Sequence, residues 1–283
     1  MAQVVHLTPR AQLPDFRKFK LGKRTPSQEV SGPRLSLKTD GAPNTQTIQL
    51  APGIPKPPVS VDWYTGNPDH SELGNYSVGD CVTADMGHMA NQLLWQNGVP
   101  ALVTDADALA AYANITGYVP GNPATDTGSL LTDGLNYMLI HGMQGVKIGA
   151  WAIIEWNFPA QMQYCISDFF GVHGGLQLPQ SAYTQINAGQ PWTVVKGSPI
   201  VGGHATYFVG YDQNYYYINT WGFIQRVSYD FVNYYYDEAY VSASPKTATA
   251  AVMHKYNTAQ LDYNWGFCTG SPMEPFERPV LPA

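Results

Sequence analysis

The sequence predicts an α+β fold, because segments with helical periodicity come first along the chain and segments with strand character come later. Composition supports a folded chain: 44% of the 283 residues are hydrophobic and 13% are charged. This balance excludes an intrinsically disordered protein, which combines low hydrophobicity with high charge. The predicted helices span 81–97, 105–116, 129–142 and 158–167, and the predicted strands span 205–211, 215–220, 225–229 and 239–243.

The helix predicted at 81–97 has signals at both ends. Asp80 suits the N-cap position, and Gly98 suits the position just past the last turn. The apolar residues between them recur at helical spacing: Val82, Met86, Met89, Leu93 and Leu94. Cys81 is therefore expected in the first turn of this helix.

The strands predicted at 205–211 and 215–220 form a hairpin. The three residues between them, Asp-Gln-Asn at 212–214, are typical of a tight turn. The hairpin brings the start of the first strand near the end of the second.

Charge is distributed unevenly along the chain. Residues 1–60 contain nine basic and three acidic residues, a net charge of +6, while the remainder carries −12. The proline-rich stretch 51–58 favours an extended linker, so the predicted parts are an arm and linker at 1–57, a domain at 58–244 and an extension at 245–283. The arm is either a solvated tail, a segment docking on its own acidic body or an acidic partner, or a pro-segment masking a cleft.

Several classes of protein and of site are not expected. No apolar run approaches the ~18 residues of a membrane span, and no secretory signal is visible, which favours a cytoplasmic or virion setting. No nucleic-acid-binding fold surrounds the basic cluster, so nucleic acid is not an expected partner. His141 and His173 lack metal-ligand spacing, and no metal or cofactor is implied. Cys165 and Cys268 could pair, although two unpaired buried thiols are favoured over a disulfide.

Cys81 is the first candidate for chemistry. A cysteine in the first turn of a helix lies near the positive end of the helix dipole, which favours the nucleophilic thiolate. Its backbone N–H, unpaired within the helix, could also donate to an oxyanion. The alternative is an inert buried cysteine. His88 lies two turns further along the helix, roughly 10 Å away, and is expected to be structural.

His204 and Asn219 are the second and third candidates. His204 lies at the start of the first hairpin strand, and Asn219 lies at the end of the second. The asparagine oxygen could accept a hydrogen bond from one ring nitrogen of the histidine, leaving the other nitrogen to face the thiol. Trp221, close by, could shield that hydrogen bond from water, and core packing is a compatible role for it.

This constellation resembles the papain-like cysteine peptidases, in which the chain order is Cys, His, Asn. The matching segments are His204 to Tyr211, His-Ala-Thr-Tyr-Phe-Val-Gly-Tyr, and Asn219 to Gly222, Asn-Thr-Trp-Gly. The segment 58–63 also resembles the start of the mature domain in that family, so the resemblance covers about residues 58–243. It implies a helical left half, an antiparallel right half and a cleft between them.

The sequence departs from the family pattern around the nucleophile. Val78 replaces the cysteine of a family disulfide, and the aromatic residue after the nucleophile is absent. The oxyanion-hole position, a glutamine in the family, is Asn75, which is one methylene shorter. Asp80 beside Cys81 stabilises the helix as a cap, but its negative charge would raise the pKa of the thiol and oppose the effect of the helix. The pattern around Cys81 resembles divergent phage and bacterial members more than plant or lysosomal enzymes.

The expected function is that of a cysteine peptidase that hydrolyses amide bonds in peptides or proteins through an acyl-enzyme on Cys81. His204 would act as the base and Asn219 as its orienting residue, while Asn75 and the Cys81 N–H would form the oxyanion hole. Two alternatives stay open. One is a weak or inactive papain-like structural or virion component of a larger assembly. The other is a hydrolase of peptidoglycan cross-links that uses the same triad.

Overall fold

The computed structural model describes residues 35–37, 53–67, 71–100, 103–244 and 255–257. Within these ranges the chain is α+β, with six α-helices and a mixed-length antiparallel sheet of seven strands. The helices are α1 (Cys81–Gln96), α2 (Asp105–Thr116), α3 (Leu131–Ile140), α4 (Pro159–Phe169), α5 (Gln180–Asn187) and α6 (Tyr229–Tyr235). The strands, in chain order, are β1 (Ser36–Leu37), β2 (Val61–Asp62), β3 (Ala150–Ile154), β4 (Val172–Pro179), β5 (Ile200–Tyr211), β6 (Tyr215–Thr220), β7 (Phe223–Ser228), β8 (Tyr236–Ala243) and β9 (Tyr256–Asn257).

The large sheet is the frame on which the other elements pack. Its strand order is β3-β8-β4-β5-β6-β7, and β2 pairs with the far end of β5. One face is covered by α1, α2 and α3, and the other face is covered by α4, α5 and α6. Because both faces are buried, the central strands carry apolar residues without a strict polar alternation.

Strand β5 alternates its side chains between these two layers. Ala205, Tyr207 and Val209 join the hydrophobic cluster under α1, whereas Phe208 joins the cluster under α4 to α6. On β6, Ile218 lies opposite Phe208 and belongs to the second cluster too. Since successive strand residues point to opposite faces, the even-numbered residues of β5 up to Phe208 and of β6 face away from α1; an irregularity after Phe208 reverses the phase at the end of β5.

A two-residue turn joins β6 to β7. Trp221 and Gly222 form it, with φ values of +47° and +70°. Two successive left-handed residues are the mark of the hairpin turn that matches strand twist. A non-glycine residue held in this region stores about 1–2 kcal/mol of strain. The turn fixes the direction of the Trp221 ring.

The described part of the N-terminal arm docks on the body. The Leu35 N–H donates to the carbonyl of Ile153 at 2.9 Å, and Gln161 donates to the carbonyl of Leu35. Strand β1 pairs with β9 of the C-terminal extension, which is itself held by an ion pair between Lys255 and Asp168 at 2.7 Å. The expectations for residues 1–34, 38–52 and most of 245–283 lie outside the described residues, and the domain boundary at 57–58 stays a prediction.

The element predictions hold where periodicity was strong. The helix predicted at 81–97 is α1, and that at 105–116 is α2, whose N-cap Thr104 forms a capping box with Asp107. Strands β3 and β4 and helices α5 and α6 were not predicted. Within the described ranges, none of the helices combines the length and apolar character of a bilayer span.

Candidate active site

Cys81 is the first residue of α1 and is buried. The turn before the helix is fixed by Asp126, whose carboxylate accepts hydrogen bonds from the Gly79 N–H at 3.0 Å and from the Tyr112 hydroxyl at 2.9 Å. Cys81 shares a hydrophobic cluster with Ala205, the neighbour of His204 on β5. The helix start and the beginning of β5 therefore lie in one layer of the fold.

Two contacts hold the His204 ring: a hydrogen bond at one nitrogen and an aromatic ring stacked on one face. Its Nε2 lies 2.7 Å from the Thr220 hydroxyl oxygen, within a hydrogen bond. The Trp221 indole stacks on it, with ring centroids 4.4 Å apart and planes 18° apart. Both His204 and Trp221 are about 1% exposed, so the hydrogen bond is shielded from water. The shielding role expected of Trp221 concerned a His204–Asn219 bond and stays a prediction for that pair.

Asn219 lies on the opposite face of the hairpin from His204. Asn219 pairs in register with Tyr207 and faces α1, where its amide nitrogen donates to His88 Nδ1 at 3.0 Å. Thr220, one residue later, is on the His204 face. A shift of one residue along a strand moves a side chain to the other face of the sheet. Thr220 is within hydrogen-bond distance of His204 Nε2, and the orienting role expected of Asn219 stays a prediction.

Asn75 lies close to Cys81 in sequence but its amide is already engaged. Nδ2 donates to the Val78 carbonyl at 3.2 Å and to Asp80 Oδ1 at 3.0 Å. An amide nitrogen has two hydrogens, so these two acceptors use both. Asn75 is 2% exposed. In this conformation its amide hydrogens point at the loop rather than at an incoming carbonyl.

Asp80 is fully buried beside the nucleophile. It occupies the N-cap position of α1, but its side chain makes no capping hydrogen bond and accepts from Asn75 instead. Burial raises the pKa of Asp80 well above its usual range, more than the hydrogen bond from Asn75 lowers it. Burial therefore favours the uncharged form of this carboxyl, which weakens the opposition to the thiolate expected from sequence.

Two tyrosines that sequence reasoning did not assign to the site adjoin it. The Tyr76 hydroxyl donates to the Trp221 carbonyl at 3.1 Å, linking the loop before α1 to the β6–β7 turn. Tyr183, on α5, stacks on the Trp221 ring, with ring centroids 5.7 Å apart and planes 24° apart. Tyr76 follows Asn75 directly, which was a usable signal, whereas nothing local marks Tyr183.

A buried hydrogen-bond network lies between α1 and the sheet. His173 Nδ1 is 2.6 Å from Asp85 Oδ2, and its Nε2 is 2.6 Å from the Ser242 hydroxyl. The side chains of His173 and Asp85 are at most 1% exposed. This network connects α1 to strands β4 and β8, so we interpret it as a brace that stabilises the position of the helix that carries Cys81.

The remaining sequence expectations concern metals and thiols. The described residues hold no group of three or more His, Cys, Asp or Glu side chains placed to bind a metal ion. Cys165 is a free buried thiol whose pKa is raised by burial. Cys268 lies outside the described residues, so the pairing of these two cysteines stays untested.

Comparisons with known proteins give structural neighbours only. No family model and no curated protein matches the sequence. Xylellain, a cysteine protease from Xylella fastidiosa, has a TM-score of 0.60 at 15% identity, covering 84% of this chain and 99% of that one. Digestive procathepsin L 3 of Tenebrio molitor has a TM-score of 0.50 at 14% identity; the match covers 69% of this chain and 72% of the procathepsin. Procathepsin B S9 from Trypanosoma congolense has a TM-score of 0.50 at 10% identity; the match covers 79% of this chain and 86% of that protein.

The overlap with nearly the whole of xylellain shows that the two chains share a fold. At 15% identity, the similarity does not extend to activity or to individual site residues. The chain has the papain-like fold, in a divergent sequence.

Proposed function

We propose that this chain is a cysteine-type hydrolase that cleaves amide bonds of peptides or proteins through an acyl-enzyme on Cys81. The observation that carries the proposal is the pairing of two features on one papain-like fold. A cysteine begins a helix, and His204 is held rigidly by a hydrogen bond and by a stacked indole. A rigid histidine near a helix-terminal thiol is the arrangement that nucleophilic catalysis requires.

The proposed reaction selects one tautomer of His204. With the proton on Nε2, that N–H donates to the Thr220 hydroxyl oxygen 2.7 Å away, and Nδ1 is left to take the proton of the thiol. After that transfer both ring nitrogens carry hydrogens, and the hydroxyl oxygen still accepts from Nε2. Thr220 therefore orients the ring in both protonation states, as an asparagine oxygen would.

The chemical steps use this chain's own residues. The Cys81 thiolate, favoured by the helix N-terminus, attacks the scissile carbonyl carbon, and the carbonyl oxygen becomes negatively charged. His204 gives its proton to the leaving nitrogen as the C–N bond breaks. Water, deprotonated by His204, then hydrolyses the thioester. The Cys81 N–H is one oxyanion donor, and Asn75 becomes the second only if its amide turns away from Val78 and Asp80.

A second candidate function rests on that same Asn75 conformation. With the amide engaged and Cys81 buried, the fold would persist as a catalytically silent component of a larger assembly. The two candidates predict opposite behaviour of the thiol. A silent module leaves Cys81 no more reactive than an ordinary buried cysteine.

A labelling and digestion experiment tests the proposal. The full chain is incubated with a peptidyl epoxide, and intact mass is followed for the native protein and for Cys81→Ala and His204→Ala. We expect rapid single labelling of the native protein, none of Cys81→Ala and slow labelling of His204→Ala. Equal slow labelling of the native and His204→Ala proteins would favour the silent module.

Substrate class is tested separately. Casein and purified peptidoglycan are digested in parallel, with Cys81→Ala as the matched control. Casein cleavage that is lost in the control supports a peptidase. Loss of cross-links from the peptidoglycan, without casein cleavage, would assign the same site to cell-wall hydrolysis instead.

A further inference from the structure

Helix α4 contacts parts of both terminal segments of the chain. The hydroxyl of Tyr164 on this helix donates a hydrogen bond to the carbonyl of Pro55, in the predicted linker. On the C-terminal side, the Lys255 ammonium group lies 5.8 Å from the centre of the same tyrosine ring and 2.7 Å from an oxygen of the Asp168 carboxylate. One helix therefore binds a segment that precedes the predicted domain and a segment that follows it.

Strand β9 of the C-terminal extension is anchored by a buried tyrosine. Tyr256 is fully buried, and its ring centroid lies 5.7 Å from that of Phe169 at the end of α4. Its hydroxyl donates to the second carboxylate oxygen of Asp168 at 2.9 Å. An aromatic side chain buries a large apolar area and needs a partner for its hydroxyl, and both conditions are met here. The extension is thus packed into the core at this point.

Strand β1 of the N-terminal arm is anchored through the residue that precedes it. Leu35 is 3% exposed and belongs to the same hydrophobic cluster as Tyr256. Its N–H donates to the Ile153 carbonyl at 2.9 Å, and its own carbonyl accepts from the Gln161 amide. We call Leu35, Lys255 and the antiparallel pair β1–β9 the terminal clasp. Because an isolated pair of strands is marginally stable in water, each strand of the clasp depends on the attachment of the other.

The terminal clasp lies at an edge of the large sheet. Strand β3 ends the strand order, and its five residues, Ala-Trp-Ala-Ile-Ile at 150–154, are all buried. An apolar edge strand with free backbone groups is a template for pairing with a second chain. The Leu35 N–H engages one of these groups, the Ile153 carbonyl. The clasp therefore covers part of an edge that would otherwise favour self-association.

The terminal clasp is remote from the proposed base. Ile153 aligns with Tyr207 of β5 across the two intervening strands, and His204 precedes Tyr207 by three residues. With strands about 4.8 Å apart and residues about 3.4 Å apart along a strand, the backbone at Ile153 lies roughly 18 Å from that at His204. The contacts that hold the clasp therefore involve neither His204 nor Cys81.

We propose that α4 and the edge of β3 form a docking surface for the two termini of this same chain, and that the terminal clasp is a permanent part of the folded protein. The arm and the extension hold each other in place, so release of one frees the other. Hydrolysis at Cys81 then needs no removal of the arm, unlike in a protein with a pro-segment that masks its cleft. The clasp goes beyond the proposed function, and only its independence from hydrolysis rests on that function.

Hydrogen–deuterium exchange of backbone amides tests whether the two segments hold each other. The full chain is compared with Leu35→Asp, which places a charge in the apolar site, and with Tyr256→Ala, which removes the ring and its hydroxyl. Lys255→Met is a milder variant that removes the ion pair with Asp168. Tyr235→Ala is the matched control, a buried tyrosine of the same hydrophobic cluster whose hydroxyl bonds to the Val195 carbonyl at 3.0 Å.

The expected result is reciprocal release. In Tyr256→Ala the peptide that contains Leu35 should exchange at least tenfold faster, and in Leu35→Asp the peptide that contains Tyr256 should do the same, while peptides from β5 and β6 keep native rates. Lys255→Met should accelerate exchange of both segments about 2- to 5-fold, the effect of one ion pair near the surface. Tyr235→Ala should not release either segment selectively. Faster exchange confined to the substituted segment would overturn the clasp.

Labelling of Cys81 by the peptidyl epoxide separates the terminal clasp from a pro-segment. We expect the full chain to be labelled with its arm intact by mass, and Tyr256→Ala to be labelled within twofold of the native rate. A tenfold or greater rise in Tyr256→Ala would make the arm an inhibitor and overturn this part of the inference. Equally slow labelling of the native and His204→Ala proteins would overturn the proposed function and leave the clasp to the exchange experiment.

Discussion

Replacement of Thr220 by valine separates the two residues that compete for the orienting role. Valine has the same shape as threonine and suits a strand, but it has no oxygen within reach of His204 Nε2. The substitution removes one hydrogen bond of 2.7 Å and leaves the stacking of Trp221 on the ring in place. Its effect therefore isolates the hydrogen bond.

The magnitude follows from the charge on the ring during the reaction. Hydrogen bonds to charged groups contribute about 1.5–3 kcal/mol, and His204 is an imidazolium in the thiolate form of the site. Each 1.4 kcal/mol is about tenfold in rate, so hydrolysis of labelled casein should slow by about 10- to 150-fold. The expected loss is in kcat, because Thr220 acts through the base.

The matched comparison is Asn219→Ala, assayed on the same substrate. Its amide nitrogen is bonded to His88 on α1, so its loss should lower the melting temperature and change kcat by less than Thr220→Val does. The opposite ranking, with Asn219→Ala abolishing hydrolysis and Thr220→Val native-like, would refute the face assignment and restore the triad expected from sequence.

Three further changes test the surroundings of the site. Tyr76→Phe breaks the hydrogen bond to the β6–β7 turn, so iodoacetamide should label Cys81 about 2- to 12-fold faster, and an unchanged rate would show that this contact is no barrier to the thiol. Asp80→Asn should flatten the pH dependence of stability: burial raises the pKa of this carboxyl, so its contribution is complete at low pH and lost as pH rises through the folded value. The variant should therefore melt higher than the native protein at pH 8, and a lower melting point there would contradict the assignment. His173→Ala strands Asp85 in the core and should cost about 3–5 kcal/mol, a fall of roughly 6–20 °C in melting temperature; a fall under 2 °C would remove the brace from the account.

Sequence reasoning located the elements whose patterns are local. Helix α1 carries its periodicity, its cysteine and its terminal glycine within 18 residues, so its position follows from a short window. The hairpin β5–β6 is signalled by its turn residues in the same way. The papain-like order of Cys81, His204 and Trp221 follows from these two units.

Which residue of β6 faces His204 could not be predicted, because it depends on the phase of the strand. Residues 215–220 read Tyr-Tyr-Tyr-Ile-Asn-Thr, which lacks the polar alternation that would mark one face. Both faces of β6 are covered by other elements, so the sequence of polar and apolar residues does not indicate whether Asn219 or Thr220 faces His204. A match to a sequence motif identifies the candidate residues, but it does not determine to which face of the strand each side chain points.

The missed elements have the same kind of cause. Strand β4 contains Gly174 and Gly175, which weaken a strand signal, yet Gly174 is required because a Cβ there would lie 2.5 Å from the Phe208 ring. Helix α5 is short and polar and begins after Pro179. Its contribution to the site, Tyr183, depends on contact across the sheet that no local window contains.

The proposed chemistry requires that Cys81 is a nucleophile activated by His204. The decisive measurement is the rate at which a peptidyl vinyl sulfone modifies Cys81 at pH 7, by intact mass, in the native chain and in His204→Ala. Loss of a positioned general base typically costs ~10²–10⁴ in rate, so the native protein should react at least a hundredfold faster. Equal rates in the two proteins would contradict the proposed chemistry and leave a papain-like fold with an inert buried thiol.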